Sequence, residues 1–217
     1  MIKELSEETL DVCVCAIHKG ALPYIAHCLR LELIGEGQTR QQAISRLEGL
    51  IKLQCRTYQS EAVSLWLGDV DSQWEEYHIK ATGIPEERVL DVRGHTNDET
   101  VQLRLSVRTS HTMIRNTDAW PTECPLGVLS DLLSARGISC ISDEPGCVHL
   151  VGRWQNASDV PLQSYPFHVP ADRSVAWYHL RAISRRFGLD DLQTILGVAL
   201  KPQQLISGDG TFNSRPK

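Results

Sequence analysis

The chain has 217 residues, of which 41% are apolar and 23% charged, and its formal net charge is −5. That composition belongs to a globular protein; it excludes a disordered tail, a fibrous repeat and a surface that is basic throughout. No apolar run approaches the roughly 20 residues a membrane-spanning helix needs. The opening MIKELSEETL is too charged for a secretory signal, so a cytoplasmic location is expected. Seven cysteines occur without any CxxC spacing, which points to buried thiols rather than a zinc knuckle or a redox pair. Charge divides the chain: residues 1–60 are neutral, 61–123 carry −6 and 124–217 carry +1.

In chain order, Leu10–Ile17 is rich in Val, Ile and Cys and reads as a strand, with Gly20 and Pro23 marking a turn. Tyr24–Ile34 reads as a second strand: Leu29, Leu31 and Leu33 alternate with Arg30 and Glu32, and Gly35 and Gly37 end it. Thr39 and Gln42 form a capping box, and Ala43, Ile44, Leu47, Leu50 and Ile51 follow at helical spacing. Ala62–Leu67 and Val101–Val107 read as strands, and Ile84-Pro85-Glu86-Glu87 as the start of a short helix. Pro121 and Pro125 flank a boundary. Leu126–Leu133 forms an amphipathic helix ended by Gly137. Ile138–Ile141, Cys147–Val151 and Tyr165–Val169 are expected strands, the first two joined by a turn at Asp143-Glu144-Pro145-Gly146. Asp172 caps an expected helix over Ser174–Phe187 that stops at Gly188, and Asp190–Leu196 adds a short helical turn.

Two stretches carry a family likeness. Tyr24-Ile25-Ala26-His27-Cys28-Leu29, then Gly35-Glu36-Gly37-Gln38-Thr39 with Gln42, Ala43 and Leu47, resembles the start of HicB-type antitoxins over roughly residues 10–58. In that family strands run directly into a capped helix in a partial RNase-H-like arrangement. Gly146-Cys147-Val148-His149-Leu150-Val151, Phe167-His168-Val169-Pro170 and Leu180–Leu189, preceded by Leu132–Gly137, resemble a HicA-type toxin over about 124–197. That family has a double-stranded-RNA-binding-like (dsRBD-like) α-β-β-β-α fold. The resemblance implies a prokaryotic α+β protein with an antitoxin-like domain at 1–60 and a toxin-like domain at 124–200. An acidic connecting segment at 61–123 and a tail at 201–217 complete the division.

HicA-type toxins cleave mRNA without a metal, which needs proton donors and acceptors with a pKa near neutrality, as histidine has. The resemblance places the catalytic histidine two positions after the glycine, where this chain has Val148. His149 is one residue away and faces the opposite side of a strand unless a bulge re-aims it. His149 and His168 are the catalytic candidates, as a metal-independent endoribonuclease pair if both lie on one face. Arg153, Arg173, Arg181, Arg185 and Arg186 are the candidate phosphate-binding residues, Arg181 and Arg185 being one helical turn apart. With Val148 in the expected position, the expectation is a fused toxin–antitoxin-like protein of weak or no catalytic activity. It would bind RNA or a partner toxin. A self-inhibited ribonuclease and a DNA-binding regulator that reads through Leu189–Leu196 are the alternatives. If the His pair is buried and the arginines are paired with Asp and Glu, a structural or interaction role follows. No motif for a nucleotide cofactor or a metal is present, no membrane partner is expected, and a homodimer is compatible with the resemblance.

Overall fold

The structure is a computed structural model that describes residues 9–17, 24–61, 71–93, 100–144, 146–153, 160–170 and 172–200. It is α+β. A five-stranded sheet is built from β1 (Thr9–Ala16), β2 (Tyr24–Cys28), β3 (Leu33–Gly37), β4 (Thr82–Arg93) and β5 (Thr100–Thr109). Its order is β3-β2-β1-β5-β4; β5 runs parallel to β1 and all other pairs are antiparallel. Two helices belong to this part, α1 (Arg40–Glu61) and α2 (Ser72–Ile79). The rest contains β6 (Glu123–Pro125), α3 (Leu126–Ser134), β7 (Ser139–Glu144), β8 (Cys147–Arg153), β9 (Leu162–His168), β10 (Ser174–Ala176), α4 (Trp177–Phe187) and α5 (Leu192–Ala199). β7, β8 and β9 form an antiparallel sheet, and β6 pairs with β10.

The α1 start follows its sequence signals. Thr39 Oγ1 accepts the Gln42 amide at 3.1 Å, and Gln42 Oε1 accepts the Gln38 amide at 2.8 Å. The apolar stripe Ala43, Ile44, Leu47, Leu50, Ile51 is fully buried. The helix lies so close to β3 that a Cβ on Gly35 would stand 2.4 Å from Ala43 O and from Leu47 N. Gly37 is the last residue of β3, as expected, but Gly35 lies inside the strand, where the missing side chain admits the helix.

The stretch Tyr24–Ile34 is not one strand. It folds back at Leu29–Glu32, and Glu32 takes a left-handed conformation with φ 49°. Period two continues through this turn by coincidence, since Leu31 within it and Leu33 just after it are both buried. Ile84–Glu87 is not a helix either. Pro85 can occupy an edge strand, and β4 carries its irregularity there, between Thr82 and Glu86. The acidic middle supplies β4 and β5 to the first sheet and α2 to one of its faces, and so is more than a connector. Asp172 Oδ1 accepts the Ser174 amide at 3.0 Å, but the residues that follow form β10, and the helix starts only at Trp177. Gly188, at φ 65°, ends α4 as expected. Ala62–Leu67, Gly20, Pro23 and the 201–217 tail lie outside the described residues.

β9 lies against β3 and α1, so a single buried core joins the two halves. α1 covers one face of both sheets. On the other face of the first sheet, α2 packs over Cys13 and His27, with His27 stacked on Trp74 at 4.1 Å. α4 packs on β9 and reaches the carboxylates of the β2–β3 hairpin. Because backbone rather than a flexible side chain opposes the missing Cβ, Gly35→Ala is expected to destabilise the fold by about 3 kcal/mol. Gly49→Ala, with open space around it, is expected to be neutral or stabilising. Urea denaturation of the two variants checks this.

Candidate functional site

Register decides where the histidines go. In the β8–β9 ladder Cys147 pairs with His168 and His149 with Pro166, so His149 and His168 share a face as diagonal neighbours. The ladder is unbroken from Cys147 to Arg153, and the register shift lies on the β7 side, between Ile141 and Glu144. His149 is therefore not re-aimed into the Val148 position; Val148 is buried on the opposite face. His149 is itself buried, with 4% exposed. Its Nε2 lies 2.5 Å from Ser164 Oγ, whose hydroxyl donates to Gln54 Oε1 on α1 at 2.9 Å. That chain of bonds makes Nε2 the donor. His168 is half-buried, and burial followed by the Arg46 charge on α1 lowers its pKa. Both histidines thus face α1 of the first half.

The five arginines do not form one patch. Arg173 stands at the Gly146 end of β8 in a left-handed conformation, φ 57°, beside a cavity of about 370 Å³ lined by Leu126, Val148 and Pro170. Arg153 is at the other end of β8 and donates to Val160 O. Arg181, Arg185 and Arg186 project from α4 into the first half. Arg181 makes a two-pronged contact with Asp71, Nε to Oδ2 at 2.7 Å and Nη2 to Oδ1 at 3.0 Å, and also pairs with Asp118. Arg185 Nε lies 3.0 Å from Glu32 Oε1. Arg186, fully buried, donates through Nη2 to Leu31 O at 2.5 Å.

Beside the arginines the same helix supplies Tyr178 and His179, both buried. Tyr178 donates its hydroxyl to Glu36, and His179 Nε2 lies 3.1 Å from Glu36 Oε1. Tyr165 OH lies 2.8 Å from His179 Nδ1. Three carboxylates of the first half, Glu32, Glu36 and Asp71, therefore meet one face of α4. Their protonation differs by environment. Burial would raise Asp71, but the Arg181 hydrogen bonds and charge outweigh it and hold it below the usual carboxylate range. Burial is likewise outweighed at Glu36, by His179 and Tyr178. At Glu32 burial wins over Arg185 and Arg186 and pushes the carboxyl up to about 7.

A second buried polar cluster lies under α2. His27 Nδ1 is 3.1 Å from His78 Nε2. Burial, then His78 and Arg185, takes His27 well below the usual imidazole range, and burial takes His78 down to about 4. Among the described residues no group of three or more His, Cys, Asp or Glu is placed to hold a metal. Comparison with family models, curated proteins and solved structures gives no match.

The sequence allowed for arginines paired with Asp and Glu, but it did not single out Glu32, Glu36 or Asp71 as the partners. Glu32 alternated with leucines and read as a solvent-facing strand residue. Asp71 had a usable signal: it caps α2, accepting the Gln73 amide at 2.8 Å, with Trp74 and Tyr77 following at helical spacing.

Removing Asp71 leaves the partly buried Arg181 with Asp118 alone, so Asp71→Ala is expected to cost about 3 kcal/mol, measured by urea denaturation. Acid is expected to weaken the fold between about pH 6.5 and 4. In that range His27 and His78 bind protons when unfolded and stay neutral when folded. Each contributes up to about 1.4 kcal/mol per pH unit. Glu32 opposes this, because the folded form holds its proton more tightly and loses that advantage as pH rises from the ordinary carboxylate range to about 7. His78→Gln should flatten the acid limb of a stability–pH curve and Glu32→Gln should steepen it.

Proposed function

We propose that the chain is a fused toxin–antitoxin-like protein of the HicB/HicA type. Its N-terminal half is a resident antitoxin-like module that occupies the surface of a catalytically silent, toxin-like C-terminal half. The order of elements supports the reading. Three antiparallel strands lead into α1 and a later strand returns parallel to the first, compatible with a partial RNase-H-like module. α3, β7, β8, β9 and α4 follow the dsRBD-like order. The observation that carries the proposal is the seam: Arg181 and Arg185 are held by Asp71 and Glu32, in place of the phosphates such a helix would engage; a purely structural role shares this pairing, and RNA retention separates the two.

Silence follows from the histidines. Val148 cannot transfer a proton, and His149 donates into a buried chain ending on α1. What remains is binding, to RNA or to a partner toxin, controlled by whether the seam is open. A phosphate competes for Arg181 with the same charge that Asp71 uses. The DNA-reading alternative finds little support in α5: residues 188–200 contain no Lys or Arg, while Asp190 and Asp191 are exposed.

The test uses the full chain with a structured mRNA, as wild type, Asp71→Asn and Glu32→Gln, with folding checked by circular dichroism. No cleavage is expected from any of them. RNA retention at low salt should rise roughly tenfold in Asp71→Asn and fall again as salt is added. Cleavage by Asp71→Asn that His149→Ala abolishes would replace the silent reading with a self-inhibited ribonuclease. Unchanged retention would remove RNA as the partner of α4.

A further inference from the structure

We propose that the chain forms a two-fold dimer by antiparallel pairing of the outer edge of β4, over Glu87–Arg93, with the same edge of a second copy. β4 is the last strand of the five-stranded sheet, and no described strand lies along its outer row of N–H and C=O groups. The first part of that edge is blunted. Pro85 has no amide proton, and the register against β5 breaks between Thr82 and Glu86. From Glu86 to Arg93 the pairing with β5 is unbroken, so the regular stretch of free edge is the one beyond the break.

The side chains along this stretch are suited to a partner. Glu87, Val89, Asp91 and Arg93 point to the exposed face and Leu90 and Val92 to the core. Val89 is 63% exposed and the nearby Ile84 97%. Glu86, Arg88 and Asp91 are already engaged within the chain, by Arg40, Glu48 and Gln102. Glu87 and Arg93 have no ion-pair partner among the described residues.

Symmetry then selects the register. A two-fold axis normal to the sheet keeps each face on its own side, so residues directly opposite must share a face. An axis through Glu87, Arg88 or Asp91 sets that charge against its own copy. An axis through Val89 sets Glu87 against Asp91. An axis through Val92 leaves only Asp91–Arg93 paired. An axis through Leu90 sets Glu87 against Arg93 twice, Arg88 beside Val92, Val89 beside Asp91 and Leu90 on Leu90, with no like charges directly opposite. The two charges without a described partner are the two that meet across this axis, which is why the occupant is a second copy rather than an unrelated strand.

The experiment is sedimentation velocity of the full chain over a range of concentrations, for wild type, Glu87→Arg, Arg93→Glu and the double exchange. Both positions are exposed, so the fold is not at risk. Wild type is expected to be a dimer. Each single exchange turns two attractive pairs into two repulsive ones and should weaken dimerisation about tenfold or more. The double exchange restores the pairing with its charges reversed and should recover the wild-type constant. A monomer at every concentration overturns the proposal. So does a dimer indifferent to the single exchanges, or single-exchange losses that the double does not repair.

Discussion

The fold turns on three arginines of one helix that leave bulk water together, Arg186 completely and Arg181 and Arg185 in part. A guanidinium removed from water is tolerated only where anions and carbonyls meet it, and breaking one partner of such a pair is far more damaging than never having buried it. Arg181, Arg185 and Arg186 find those partners outside their own half of the chain, in Asp71, Glu32 and Leu31 O. The left-handed turn at Glu32 places the Leu31 carbonyl and the Glu32 carboxylate side by side, so one hairpin answers two arginines. The seam is thus an electrostatic constraint that makes the two halves structurally dependent on each other.

Packing reinforces that dependence on the opposite face. Gly35 lets α1 settle onto β3, and because β9 lies beside β3 the same helix extends over the second sheet. The face of β8 and β9 that carries His149 and His168 is therefore covered by a helix of the other half, and Gln54 completes the hydrogen bonding of Ser164 and His149. His149 is thus satisfied internally, and Arg181 and Arg185 are paired internally. The outer edge of β4, along which no described strand lies, is at the far side of the first sheet from β3, so a dimer built there leaves the seam intact in each copy.

Much of the local structure was legible in the sequence. The Thr39–Gln42 cap, the apolar stripe of α1, the alternation in Val101–Val107, the leucines of α3 and the glycine stop of α4 each depend on residues close in the chain. Propensity and periodicity suffice for such elements. The errors have a common origin. The turn at Leu29–Glu32 sits inside an alternating run because burial of Leu31 within it and Leu33 after it produces the same pattern as a continuous strand. Ile84–Glu87 carries helix-start chemistry that an edge strand with an irregularity also accepts. Gly35 looks like a stop signal until a helix is laid against it.

The sequence by itself determined the α+β class, the existence of α1 and of the strand–helix pattern at the C-terminal end, and the residue types able to do acid–base or phosphate chemistry. Only the tertiary structure decided which of them are free to do it. Whether Arg181 meets a phosphate or Asp71, and whether His149 faces solvent or Gln54, depends on groups about 110 residues apart in the chain. The acidic middle could be counted from the sequence but not placed, since net charge says nothing about which carboxylate is buried. That is fixed by the strand order that inserts β5 beside β1 and by the docking of α4 onto the β2–β3 hairpin, long-range pairings that leave no periodic trace in the chain.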